Sequence, residues 1–122
     1  MRVHFLKNVA YPDLPAIYQQ ADLFIYPSRY EGFGIPIVEA LHSGVPVIAA
    51  KGSCLEEAGG PQSIYVDPDD ELALAAQIKV ILKNDEQRMN MVTAGREYLN
   101  KFDSKRISGQ LIQLYKNVIN YA

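Results

Sequence analysis

Glu31 and Glu39, with two glycines and a proline between them, are the residues whose types and spacing best suit chemistry; the stretch reads Ser28-Arg-Tyr-Glu31-Gly-Phe-Gly34-Ile-Pro-Ile-Val-Glu39. Gly32 and Gly34 permit positive φ and close approach of a ligand to the backbone. A helix opening at Gly34-Ile35-Pro36 leaves amides unpaired toward the crevice, apart from the missing N–H of Pro36, and such amides attract an anion. Glu39 is expected in the first turn of that helix, its side chain leaning back toward the N-terminus, with Glu31 on the incoming loop, so that both carboxylates flank one small pocket. Two carboxylates repel an anion unless they accept hydrogen bonds from hydroxyls. A ligand carrying both phosphate and polyol resolves that conflict. Singly, each residue has a plainer role: Glu39 can stabilise its own helix, and Glu31 can be a solvated loop residue.

The elements that must position this loop follow from the apolar pattern. Leu23-Phe-Ile-Tyr26, ended by Pro27-Ser28, reads as a strand buried on both faces, and Val45 to Ala50 as another. Between them Ile37, Val38 and Leu41 form the inner side of a helix that stops at Gly44. Val3 to Leu6 is a short strand candidate beginning almost at residue 1, and Asp13 is placed to cap a helix through Leu14, Ile17, Tyr18 and Ala21. Ile64 to Val66 is a further strand. Beyond it, Asp69 or Asp70 can cap a helix through Leu72, Ile78 and Leu82. Two more helices follow, one from Asn84-Asp85 through Met89, Val92 and Leu99 and one from about Ser104 through Ile107, Leu111, Leu114, Val118 and Ile119. Strand and helix alternate, and the strands are apolar throughout. The expected fold is therefore α/β: an open parallel sheet with helices on both faces. Ligands of such sheets bind at the carboxyl ends of the strands, here the loops Pro27–Gly34, Lys51–Ser53 and Asp67–Asp70.

Composition narrows the function further. The 122 residues are 48% apolar and 21% charged, an ordinary globular balance. The longest apolar run, Val45 to Ala50, is far short of the ~20 residues of a membrane span, so a soluble protein without its own export signal is predicted. Cys54, the single cysteine, excludes an internal disulfide, which suits a reducing cytoplasm. Residues 1–71 carry net charge −6 and residues 72–122 carry +4. No dense basic stripe appears, and nucleic acid is not an expected partner.

Glu31-Gly-Phe-Gly-Ile-Pro-Ile-Val-Glu39-Ala-Leu, then Ser43-Gly-Val-Pro-Val-Ile-Ala49 and Val66-Asp-Pro68, resembles the C-terminal domain of glycosyltransferase group 1, retaining nucleotide-sugar transferases with two facing Rossmann-like domains, the GT-B fold. The likeness spans about residues 2–100. It implies that Glu31 contacts the transferred sugar as the catalytic-site carboxylate. Donor binding would fall to Gly32, Phe33, Gly34 and Ile35 through their backbone, and to Glu39 through the ribose hydroxyls. The implied partners are a nucleotide-sugar donor and a saccharide or lipid-linked acceptor. No metal or other cofactor is implied, and the place is cytoplasmic, with peripheral contact at the inner face of a membrane. Polysaccharide or glycolipid assembly is the implied setting.

Two departures from the family pattern follow. Phe5-Leu6-Lys7-Asn8-Val9 stands where members read Phe-Leu-Gly, so no base contact is assigned. The family's N-terminal acceptor domain, the opening unit of the C-terminal domain and its basic diphosphate clamp are expected to lie outside these 122 residues. Residues 1–103 are thus expected to be an incomplete nucleotide-sugar binding Rossmann-like domain. Residues 104–122 are expected to form a helix packing across toward the missing N-terminal domain. Its apolar positions read as spread around much of its circumference, and the chain is expected to be inert alone.

The alternative is a non-catalytic α/β module that binds a nucleotide or sugar phosphate. A receiver-like regulatory domain fits poorly, since Asp22 precedes its strand. Lys51, Arg29 and Tyr30 lie at the ligand edge, where they can reach phosphate or acceptor or simply face solvent. His42, near a helix C-terminus, needs no role beyond the favourable dipole there, and Cys54 has no activating His nearby in sequence.

Overall fold

The computed structural model describes residues 3–121. Its centre is a three-stranded parallel sheet in the order β1 (Phe24–Tyr26), β2 (Val47–Ala50), β3 (Ile64–Val66). Ile25 pairs with Ile48, and Ala49 with Tyr65. Helices surround it: α1 (Leu14–Gln19), α2 (Ile35–His42), α3 (Leu55–Gly59), α4 (Glu71–Leu82), α5 (Asp85–Tyr98) and α6 (Ser104–Tyr121). This is the open α/β arrangement that the apolar strands predict.

The central strand β2 is buried at every position. Side chains alternate along a strand, so both faces of β2 are covered. Val47 and Ala49 join Ile37, Leu41, Leu55 and Ala58 in one core under α2 and α3. Edge strand β1 differs from expectation: Ile25 is 37% exposed. With a neighbour on one side only, its outer face is not closed.

Three further expectations are corrected. Residues 3–6 form no strand, and Val3, Phe5 and Leu6 are exposed; a strand exists only in a ladder, and these residues find no partner among the described ones. Asp13 makes no capping bond, because a 3-10 turn over Tyr11–Asp13 precedes α1 and holds Asp13 in the helical region. Leu99 lies outside α5, in a 3-10 turn spanning Leu99–Phe102. The cap of α4 falls as read: Asp70 Oδ1 accepts from the Ala73 amide at 2.8 Å; at α5 Asn84 is the cap, its Oδ1 accepting from the Gln87 amide at 2.9 Å.

Helix α6 has no buried residue. At 3.6 residues per turn its apolar side chains, Ile107, Leu111, Leu114, Tyr115, Val118 and Ile119 among them, fall on about half of the helix surface, not around most of it. Lys105, Lys116 and Arg106 lie on the other half. The apolar half remains exposed. None of the described helices is long and apolar enough to cross a membrane.

Candidate functional site

The loop from β1 to α2 runs over the carboxyl edge of the sheet, and Gly34 fixes its shape. Gly34 is buried and left-handed, with φ 102° and ψ 46°, at the N-cap of α2. A Cβ there would stand 2.7 Å from Leu55 Cδ2 and 3.4 Å from Ala58 Cβ. Gly32 differs from expectation. It has no positive φ, and a Cβ on it would meet nothing within 4 Å. Packing explains the first glycine, whereas at the second only the open space above the backbone remains as a reason.

Ile37 donates its amide back to Gly34 O at 2.9 Å, which starts the helix. The amides of Phe33, Gly34 and Ile35 find no acceptor among the described residues. Phe33 is held from behind by the Phe102 ring, edge to face at 5.4 Å.

Glu31 is exposed and accepts two hydroxyl hydrogens on one oxygen: Tyr26 Oη donates to Oε1 at 2.6 Å and Ser28 Oγ at 2.8 Å. These donors hold its carboxyl below the ordinary range, Tyr26 contributing most. Reciprocally, the bond to Glu31 pushes the Tyr26 hydroxyl up to about 12.

Glu39 sits in the second turn of α2, one turn later than expected, because the helix starts at Ile35. Its side chain is half-buried and accepts from Tyr18 Oη at 3.2 Å and Tyr11 Oη at 3.4 Å. Burial and the nearby carboxylate raise the Tyr18 hydroxyl.

An aromatic row joins these two systems. Tyr18 meets Phe24 edge to face at 5.4 Å, and Phe24 stacks on Tyr26 at 5.7 Å. Phe24 and Tyr26 are two residues apart on β1 and therefore point to the same face. Glu31 and Glu39, each bonded to one end of the row, lie on that face of the sheet. A cleft of about 410 Å³ opens beside Glu39, lined by Tyr11, Leu14, Pro15, Tyr18, Gln19, His42 and Ser43. Glu31 lies outside it, so the single small pocket shared by both carboxylates resolves into a cleft and an adjoining open loop.

The three carboxyl-edge loops are tied to one another. Arg29 makes a two-pronged contact with Asp69, one prong at 2.8 Å, and Lys51 lies 3.4 Å from Asp67. Lys51, read as able to reach phosphate or acceptor, and Arg29, read as able to touch the acceptor, are thus both engaged across the edge, whereas Tyr30 is 92% exposed. Cys54 donates its thiol to Glu31 O at 3.1 Å, which fastens α3 to the same loop. Among the described residues no group of three or more His, Cys, Asp or Glu is clustered to hold a metal ion. The partners of Glu39, Tyr11 and Tyr18, were not legible in the sequence, since those contacts span 28 and 21 positions, whereas Tyr26 lies only five positions from Glu31, at the end of the strand that leads into its loop.

Comparison with known proteins places this geometry. The profile of the family "Glycosyl transferases group 1" matches residues 1–98. The O-antigen chain mannosyltransferase B of Escherichia coli is 37% identical over 114 residues, which is 93% of this chain and 30% of that protein. A sucrose-phosphate synthase of Thermosynechococcus elongatus superposes with a TM-score of 0.84 at 31% identity, over 99% of this chain and 31% of its own. Anabaena HepE, solved in complex with UDP-glucose, superposes with a TM-score of 0.75 at 25% identity, over 86% of this chain and 30% of its own. The chain thus spans about a third or less of the relatives it matches. By its profile, its partial Rossmann-like sheet and these relatives, the chain belongs to the group 1 glycosyl transferases.

Proposed function

We propose that this chain is the donor-binding part of a retaining glycosyltransferase that moves a sugar from a nucleoside-diphosphate sugar to an acceptor hydroxyl. The observation that carries the reading is the placement of Glu31 and Glu39 on one face of the sheet, with the free amides of Phe33, Gly34 and Ile35 between them. Diphosphate sits at those amides, where backbone dipoles favour negative charge. Ribose hydroxyls donate to Glu39, and the nucleoside extends into the cleft beside it, whose volume suits a small ligand. Glu31 accepts a hydroxyl of the transferred sugar. Gly32, with no packing reason to lack a side chain, leaves room for that sugar to approach the backbone.

In the reaction the acceptor oxygen bonds to the anomeric carbon on the face that the nucleotide leaves. The bond from that carbon to the diphosphate oxygen breaks, and the departing diphosphate takes the acceptor proton. These residues contribute position and charge stabilisation. No metal takes part in this reading, and chelation with EDTA is expected to leave turnover unchanged. The UDP-glucose complex of HepE and the O-antigen role in the name of the Escherichia coli relative favour a nucleotide-sugar donor and a saccharide or lipid-linked acceptor in polysaccharide or glycolipid assembly. Residues 1–103 form the donor domain in this reading. Residues 104–122, which include α6 (Ser104–Tyr121), present an exposed apolar half that packs across toward the N-terminal domain of the full protein, and the 122 residues alone are inert. The place of action is the cytoplasm, peripheral to the inner face of a membrane.

The test is a pair of substitutions in the full gene product that carries this segment. Glu39→Ala weakens binding of nucleoside diphosphate and of nucleotide-sugar alike, by roughly 10- to 100-fold for a lost charge-assisted bond. Glu31→Ala spares nucleoside diphosphate and lowers turnover. Equal, small effects of both on kcat and KM would overturn the assignment.

A further inference from the structure

We propose that Tyr26, together with Ser28, is a positioning residue that turns Glu31 so that one carboxylate oxygen, Oε2, faces the transferred sugar. The inference rests on the reading of Glu31 as the sugar-facing carboxylate. Both hydroxyl donors converge on Oε1, Tyr26 at 2.6 Å and Ser28 at 2.8 Å, and Oε2 accepts from no described residue.

An exposed glutamate ordinarily samples several rotamers, and its two oxygens exchange freely. Here two bonds to one oxygen stop that exchange. The Tyr26 ring is itself confined, stacked on Phe24, which in turn abuts Tyr18. Ser28 lies three residues from Glu31 on the same loop, so the two donors approach from the strand and from the loop. Neither donor carries charge. The carboxylate therefore keeps its full negative charge for the ligand, which a lysine or arginine in the same place would neutralise. The Tyr26 hydroxyl, pushed up to about 12, remains a donor at any working pH.

The chemical consequence is selectivity. A carboxylate with two free oxygens grips a vicinal pair of hydroxyls, whereas one with Oε1 occupied reads a single hydroxyl through Oε2. The structure thus assigns Glu31 one hydroxyl of the sugar.

Tyr26→Phe keeps the stacked ring and removes only the donor, so the fold is retained and the melting temperature is the check. In the full gene product, Tyr26→Phe is expected to lower kcat/KM for nucleotide-sugar by about tenfold, with affinity for nucleoside diphosphate unchanged. Because the lost bond held the Glu31 carboxyl down, the acid limb of the kcat/KM profile moves to higher pH. Tyr26→Phe combined with Ser28→Ala approaches the defect of Glu31→Gln. If Glu31→Gln is severe while Tyr26→Phe matches wild type in turnover and acid limb, the positioning role is wrong. If Glu31→Gln itself is silent, the assignment of Glu31 to the sugar fails instead.

Discussion

Replacing each glycine of the loop by alanine separates the demands of folding from the demands of a ligand. At Gly34 an alanine must adopt φ 102°, a left-handed conformation costing about 1–2 kcal/mol for a residue with a Cβ. Its methyl must also find room 2.7 Å from Leu55 Cδ2. Leu55 is fully buried between α2 and the sheet, and such overpacking costs about 1–3 kcal/mol. Together Gly34→Ala should lose about 2–5 kcal/mol, which for a domain of this size lowers Tm by roughly 6–25 °C. At Gly32 neither cost arises, so Gly32→Ala should melt within about 2 °C of wild type. Its methyl instead points into the space through which a sugar diphosphate reaches the backbone, and nucleotide-sugar affinity should fall by about tenfold or more. Thermal melting and titration calorimetry on both variants decide the matter. A Gly34→Ala protein as stable as wild type, or a Gly32→Ala protein with unaltered affinity, would refute the reasoning.

Three further outcomes are expected. Ile81 of α4 has no exposed surface, and Ile81→Ala should cost about 2–5 kcal/mol by cavity formation, read from urea denaturation. Removal of residues 104–122 should leave the melting temperature of this chain nearly unchanged, because α6 buries none of its side chains; a large drop would show that the helix supports the sheet. Arg29 holds the Asp69 carboxyl, and the Asp69 amide with Lys51 holds the Asp67 carboxyl, below the ordinary value. A depressed carboxyl stabilises above its unfolded pKa and ceases to as pH falls through the folded one, so these contacts should loosen on the acid side of about pH 4, the ordinary aspartate range. Carboxyl resonances of Asp67 and Asp69 followed by NMR should titrate below the ordinary aspartate value of about 3.9, and titration at that value would contradict the pairing.

Much of this fold was legible because its information is local. Apolar runs ended by Pro27, by Lys51-Gly52 and by Asp67-Pro68 gave the three strands, and Gly34-Ile-Pro36 with Gly44 gave both ends of α2. The short α3 carries little local signal: its N-cap, Cys54, makes no side-chain capping bond, and neighbouring residues support its start instead. Ser53 Oγ accepts from the Leu55 amide at 3.3 Å, and Glu56 from the Gly52 amide at 2.8 Å. Val3 to Leu6 misled for the opposite reason: strand-like residues make a strand only where a neighbour offers its backbone, and that is not a local property. At the site the two carboxylates were legible as a motif. The tyrosine partners of Glu39 were not, because Tyr11 and Tyr18 reach it from a separate helix and turn. The pairings of Arg29 with Asp69 and Lys51 with Asp67 likewise depend on β3 lying beside β2, which brings the third loop to the first two.

The most direct measurement is a crystal structure of the full gene product with an intact nucleotide-sugar bound. Ribose hydroxyls should lie within hydrogen-bond distance of Glu39, diphosphate oxygens against the amides of Phe33, Gly34 and Ile35, and a single sugar hydroxyl against Glu31 Oε2. Diphosphate seated elsewhere, for example in the separate cleft between Val38, Arg96 and Phe102, with both glutamates untouched, would contradict the account.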